Sequence, residues 1–189
     1  MGAPERRPEV PTMAATISSL PSPSVVSGIG YIDGVGEYLD GGDVLKVGTT
    51  VYVGSTLRTT IAGIDKLRTL VAPLGYTVVA VPTTKVLHLK SAVTALPCGT
   101  VIGLEELVDD PEMFPKFKAM PEEAGSHVVV LDSKTLLMAT SAPLSIAMLT
   151  ALGYAVVAVD ISEFEAFEGC VTCLSVRLRD AMPVLRACQ

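Results

Sequence analysis

The 189-residue sequence predicts an α/β fold in which repeated units pack around a common centre. Three observations predict it. The segments "LGYTVVAVPTT", from Leu74, and "LGYAVVAVDIS", from Leu152, are near copies of one another. Each copy is preceded by the same succession of strand, turn, strand and helix. A strand–strand–helix–strand unit is too small to bury both of its faces alone, so such units must pack against one another.

The elements follow in order. Residues 1–30 hold five of the thirteen prolines and carry only weak periodicity. Within them "PEVPTMAATISSL" predicts a short helix with its prolines in the first turn, and "SVVSGI" predicts a strand. From Gly36 the signals sharpen. "DVLKVGTTVYVG" reads as two strands around a glycine-containing turn. In "RTTIAGIDKLRTLVAPLGY", Ile61, Ile64, Leu67, Leu70 and Val71 recur at helical spacing, and Gly75 suits the C-terminal cap. "TVVAVP" is a short apolar strand. The second copy runs "HVVVLDSKTLLMAT" (strand, turn, strand), then "SAPLSIAMLTALGY" (helix, with Ser141 as N-cap and Gly153 past its end), then the strand "AVVAVD". The whole is expected to be a single domain, with 1–30 poorly defined and 36–189 holding the clear repeats.

Composition narrows the function. The formal charge of −6 disfavours nucleic acid and anionic membrane as partners. The mean hydropathy of +0.50 is high, and the longest charge-free run lies between Lys134 and Asp160. Ser141, Pro143, Ser145 and Gly153 punctuate that run, which therefore reads as strand, turn, short helix and buried strand rather than a membrane span. No cationic segment followed by an apolar one opens the chain, so no secretion signal is expected. The four cysteines then fit free thiols in a reducing cytoplasm.

Each "LGYxVVAV" strand leads into an unusual loop. The first loop holds His88, one of two histidines; the second holds Cys170 and Cys173. Equivalent loops of packed repeats lie at the same end of their units. An imidazole and a thiol brought together there suit nucleophilic catalysis; a buried histidine and an inert thiol are the structural alternative. The C-x-x-C spacing also occurs in redox and zinc sites. Val171, Thr172, Val176 and the alternation in "CLSVRL" predict a β-strand, however, and residues three apart on a strand are roughly 10 Å from each other on opposite faces. That makes a disulfide or zinc site the weaker reading. "YLDGGDVL" places Asp40 and Asp43 around two glycines, either as a polar turn or as the carboxylate that orients a histidine. Arg58, in "GSTLRTT", is a solvated side chain or a fork for a substrate carboxylate. His127 reads as structural.

Four segments, "LDGGDVL", "YVGSTLRT", "LHLKSAVTAL" and "EGCVTCLSVRL", resemble in order and separation those of the dimethylarginine dimethylaminohydrolases, members of the guanidino-modifying superfamily with arginine deiminase and the amidinotransferases. The resemblance covers Asp40 to Arg179. It implies a pentein-type α/β propeller of ββαβ units with the active site in the central channel. By position it makes Cys173 the nucleophile, His88 the general acid/base, Asp40 its acidic partner, Arg58 the binder of the substrate's α-carboxylate and Phe167 a pocket residue, and it gives Cys170 no role. The implied reaction converts an Nω-methylated arginine to citrulline and methylamine or dimethylamine through a thiouronium on Cys173, without metal or cofactor.

The resemblance also implies an earlier repeat before this sequence. "GAPERRPEV" resembles the tail of that repeat's second motif, so the propeller is expected to be incomplete, with its first repeat missing. Open strand edges would then favour association into homo-oligomers. A catalytically inactive remnant, arginine deiminase activity and a C-x-x-C redox or metal protein are the competing functions.

Overall fold

The computed structural model describes residues 4–19, 31, 32 and 34–175. Helix α1 (Glu9–Ser18) matches the helix expected in the proline-rich opening. The strand expected in "SVVSGI" lies outside the described residues.

Among the described residues, nine strands form three separate three-stranded sheets of one pattern. In the first, β1 (Val44–Val47) pairs antiparallel with β2 (Thr50–Ser55), and β2 pairs parallel with β3 (Thr77–Pro82). The parallel pairing requires a crossover, supplied by α2 (Ile61–Val71). Thr60 caps that helix by accepting from Gly63 N–H at 3.1 Å, and Gly75 ends the following turn at φ 79°. The central strand β2 is buried along most of its length, so it reads as an apolar run without alternation.

The last sheet repeats this. Strand β7 (Val129–Val130) pairs antiparallel with β8 (Thr135–Ala139), and β8 pairs parallel with β9 (Ala155–Val159). The crossover is α4 (Pro143–Ala151), so the charge-free run is strand, helix and strand in the expected order, but β9 is half-buried to exposed rather than buried because it lies at the edge of its sheet. Among the described residues no helix is long and apolar enough to cross a membrane. Ser141 is not the cap of α4. Its hydroxyl donates to Glu165 at 2.6 Å, and the Glu122 carboxylate takes the first free amides, Leu144 N–H at 3.3 Å and Ser145 N–H at 2.8 Å. A carboxylate from outside the helix fills the same electrostatic need. Glu122→Ala is expected to destabilise the fold by about 1 kcal/mol, read as a lowered midpoint in urea with unchanged slope.

Between these lies a further unit, the second in chain order, that the repeat in the sequence does not reveal. Strands β4 (Val93–Ala95), β5 (Val101–Gly103) and β6 (Phe117–Ala119) have the same antiparallel-then-parallel order. Its strands are three residues long, and its crossover runs through short 3-10 turns at Glu105–Leu107 and Pro111–Met113 instead of an α-helix. Hydrophobic periodicity therefore had nothing to report.

The units share cores, as units too small to fold alone must. Leu45, Tyr52 and Val81 of the first unit pack with Val93, Val101 and Phe114 of the second. Leu96 and Ile102 of the second pack with Leu136, Met138 and Leu149 of the third. A further cluster of Val129, Ala139, Ile161 and Val171 ties the cysteine loop to the third sheet.

Candidate active site

The glycines of "LDGGD" form a 3-10 turn, Gly41–Asp43, that leads into β1. Asp40 caps it: its Oδ1 accepts from Gly42 N–H at 3.1 Å, and its own N–H donates to Thr59 Oγ1 at 2.9 Å. The residue is buried, 5% exposed. His88 sits in extended backbone just before the four-residue helix α3 (Leu89–Ala92). Its Nε2 stands 3.4 Å from Asp40 Oδ2. Among the described residues neither atom has another hydrogen-bond partner, and the alignment between them is poorer than a good hydrogen bond requires. Catalytic contacts in ligand-free sites are often loose in this way. Arg6, forked onto Glu9, brings Nη1 to 3.7 Å from the same Asp40 oxygen. Contact with His88, the Gly42 N–H and the charges of His88 and Arg6 hold the Asp40 carboxyl well below the usual carboxylate range, against burial that would raise it.

Gly42 is what lets the imidazole approach. A Cβ there would fall 2.7 Å from His88 Cγ. Gly42→Ala is therefore expected to push the ring off Asp40. A displacement of this kind costs activity by up to about 10²-fold, so turnover should fall while the urea midpoint changes little.

The cysteine loop departs from expectation. Helix α5 (Ser162–Glu165) is followed by Glu168 at φ 60° and by Gly169, where a Cβ would fall 2.9 Å from Phe164 O. The chain then turns instead of extending: Cys173 N–H and Leu174 N–H both donate to Cys170 O, at 3.0 and 3.3 Å. The expected strand is replaced by this turn through Leu174, and Val176–Leu178 lie outside the described residues. The turn brings the sulfurs to 3.0 Å from each other, which corrects the placement of the two cysteines on opposite faces of a strand. Cys170 is buried and Cys173 exposed; both are free thiols. Cys98, by contrast, is disulfide-bonded, which corrects the expectation of four free thiols. The contact between the two sulfurs lowers Cys170 to a pKa of about 5, against burial and with help from His127 and Thr172. The same contact, with burial, pushes Cys173 up. Mild oxidation is expected to join the pair, seen in an intact mass lower by two hydrogens and in protection of Cys173 from alkylation. No group of three or more His, Cys, Asp or Glu side chains able to hold a metal occurs among the described residues.

The remaining candidates are placed unevenly. Arg58 is half-buried in the turn before α2, its N–H bonded to Thr56 Oγ1 at 3.1 Å; its guanidinium has no partner among the described residues. Phe167 is 86% exposed and is not brought to the Asp40–His88 pair. His127 Nε2 meets Ser91 O at 3.0 Å, a structural bond to α3, yet its charge also reaches Cys170. Lys90, two residues after His88, was not singled out from the sequence. Burial lowers its pKa, and the charges of Cys173, Cys170, Asp40 and Asp43 oppose that shift. Both the cysteine turn and the Asp40 turn therefore lie within electrostatic reach of Lys90. Arg6 was missed as well, because nothing in "PERRPEV" signals which arginine folds back onto a carboxylate 34 positions later.

The chain is 62% identical over 142 residues to N(G),N(G)-dimethylarginine dimethylaminohydrolase of Streptomyces coelicolor, covering 75% of this chain and 55% of the relative. It is 28% identical over 141 residues to the protein of the same name from Pseudomonas aeruginosa, covering 74% and 56%. The chain thus spans little more than half the length of these relatives. In three dimensions it superposes on the Pseudomonas aeruginosa enzyme's C249S mutant complexed with citrulline, at a TM-score of 0.78 and 25% identity over 91% of this chain and 66% of that one. It also matches the inosamine-phosphate amidinotransferase StrB1 of Streptomyces griseus, at a TM-score of 0.69 and 18% identity over 81% and 49%. The propeller architecture expected from the resemblance is that of these structures. No protein-family model matches the chain.

Proposed function

Because this chain belongs to the dimethylarginine dimethylaminohydrolase family, we propose that its site serves the hydrolysis of Nω-methylated L-arginine to citrulline and dimethylamine or methylamine. The observation that carries the reading is the buried Asp40–His88 pair, whose facing oxygen and nitrogen have no other hydrogen-bond partner among the described residues; Lys90 lies within electrostatic reach of Asp40 and of both Cys170 and Cys173.

In this reading Cys173, exposed at the turn, attacks the central guanidinium carbon as its thiolate. The substrate's positive charge favours that thiolate. His88 gives a proton to the departing amine as the carbon–nitrogen bond breaks, leaving a thiouronium on Cys173. His88 then takes a proton from water, whose oxygen adds to the same carbon; the carbon–sulfur bond breaks and citrulline leaves. Asp40 holds the imidazole and stabilises its charged form. Arg58, with a free planar fork, takes the substrate's α-carboxylate. Phe167 borders this site only if substrate binding recruits it. A thiol nucleophile works only while reduced, which favours a cytoplasmic setting.

The test supplies Nω,Nω-dimethylarginine to the 189-residue chain, and to the same chain extended at its N-terminus by whatever precedes the matched region in the Streptomyces relative. Citrulline and dimethylamine in equal amounts from either protein support the reading. Turnover by the extended protein alone assigns part of the site to the added segment. Turnover by neither overturns the reading and returns the inactive-remnant alternative, which the 62% identity to a named hydrolase does not favour.

A further inference from the structure

Asp43 takes no part in the chemistry above, yet it is fully buried at 0% exposure. Its carboxylate receives three hydrogen bonds from two other segments of the chain. Oδ2 accepts from Thr56 Oγ1 at 2.9 Å and from Thr59 Oγ1 at 2.5 Å; Oδ1 accepts from Leu89 N–H at 3.0 Å. Each donor is itself attached to one of the site residues. Thr56 Oγ1 accepts from Arg58 N–H and Thr59 N–H, both at 3.1 Å. Thr59 Oγ1 accepts from Asp40 N–H at 2.9 Å. Leu89 is the neighbour of His88, and its N–H sets where the His88 backbone ends and α3 begins.

The direction of these bonds matters. Both threonine hydroxyls already accept from backbone N–H groups, so their protons are left to point at Asp43. With the Leu89 amide, that makes three donors converging on one side chain, which only an acceptor-only group can satisfy. A buried carboxylate with no cation in ion-pair contact among the described residues is a costly choice for a core position. The surroundings are built around it: a Cβ on Gly54 of β2 would fall 3.0 Å from Asp43 Oδ1 and 2.9 Å from Leu89 Cβ.

We infer that Asp43 is the positioning residue of the site, a buried carboxylate that sets His88, Arg58 and Asp40 in register through Leu89, Thr56 and Thr59. The inference rests on the proposed function for its meaning in turnover, but its geometry is testable without turnover. Because the chain has only two histidines, the ring resonances of His88 can be followed by NMR in the 189-residue protein. Asp43→Asn, which offers the threonine hydroxyls a donor where they need an acceptor, is expected to move the His88 resonances. Thr59→Val is expected to move them in the same direction by less, and Thr56→Val, on the Arg58 arm, to leave them nearly in place. The control is Leu149→Ala, a buried core truncation in the third unit, expected to lower the unfolding temperature without moving His88. His88 resonances unchanged by Asp43→Asn, or moved as far by Leu149→Ala, would overturn the inference. If Asp43→Asn does not fold, the contrast between the two threonine variants decides in its place. In turnover, Thr56→Val should raise KM and Thr59→Val should lower kcat, each by roughly fivefold. Absence of turnover in the parent protein counts against the proposed function and leaves the NMR contrast decisive for Asp43.

Discussion

Cys173→Ser is expected to abolish citrulline release, a loss of roughly 10³-fold or more, while Cys170→Ser keeps turnover within about tenfold of the parent. The asymmetry follows from the turn. Cys173 is exposed and can meet a guanidinium carbon; Cys170 is buried at 7% exposure, its sulfur also within 3.0 Å of Thr172 Oγ1. A serine hydroxyl at 173 keeps the shape and removes the ionisable nucleophile. Cys170→Ser has a second expected effect, with a definite sign. The Cys170 sulfur, burial and the Cys170 charge together push the Cys173 thiol up. Removing that sulfur should let Cys173 ionise at lower pH, towards the ordinary thiol value of about 8.5. Alkylation of Cys173 as a function of pH, read by mass spectrometry, measures this directly. A pH profile that stays in place would show that the two sulfurs do not share a proton in solution, and equal loss of turnover in both variants would remove Cys173 as the sole nucleophile.

The same turn shows where the sequence misled. Val171, Thr172 and the alternation after them are strand-like in composition, and a local reading had no reason to prefer a turn. The deciding residues lie just upstream. Glu168 enters the left-handed region and Gly169 presses against Phe164 O, so the chain cannot run straight into Cys170. Tertiary packing of Val171 into the third sheet's cluster then holds the turn. The elements that were legible, β2, β3, α2, α4 and β9, are those with long apolar runs or helical periodicity bounded by glycine. The second unit was illegible because strands of three residues carry too few positions for any period. Ser141 was a reasonable cap by residue type, but the cap of α4 comes from Glu122, 22 positions away from Leu144, and no local pattern reports such a donor–acceptor pair.

Of the site itself, the turn "DGGD" and the His88 loop were legible as motifs; their meeting was not. That Asp40 faces His88 depends on Gly42 having no side chain and on Asp43 holding Leu89. The sequence marks both positions with the right residue types, but assigns them to a generic polar turn. Lys90 and Arg6 had no signal of their own: a lysine in a short helix and an arginine in a proline-rich opening are ordinarily solvated, and only the fold brings their charges to Asp40.

Asp40→Asn should lower kcat by roughly 10²–10⁴-fold, because the amide keeps the size of the side chain but cannot stabilise a charged imidazole. The effect should fall mainly on kcat. Asp40 is 5% exposed, and among the described residues it pairs with His88 and Arg6, neither of which is the assigned carboxylate binder. A variant that raised KM alone would place Asp40 in substrate binding instead. The substitution also predicts a pH signature in stability. The folded-state pKa of Asp40 is lowered relative to its ordinary value of about 3.9. A group with a depressed folded pKa contributes stability that is fully present above its unfolded pKa and is lost as pH falls through its folded pKa. The margin by which the parent exceeds Asp40→Asn in stability should therefore be present at about pH 5 and shrink steadily below about pH 4. Urea midpoints of the two proteins measured across this range give the margin directly. A difference that does not change between pH 5 and the acid limit would mean that the Asp40 carboxylate is not held charged by His88, Gly42 and Arg6. The kinetic and stability effects share one cause: the facing of Oδ2 and Nε2 at 3.4 Å across a turn that only glycine permits.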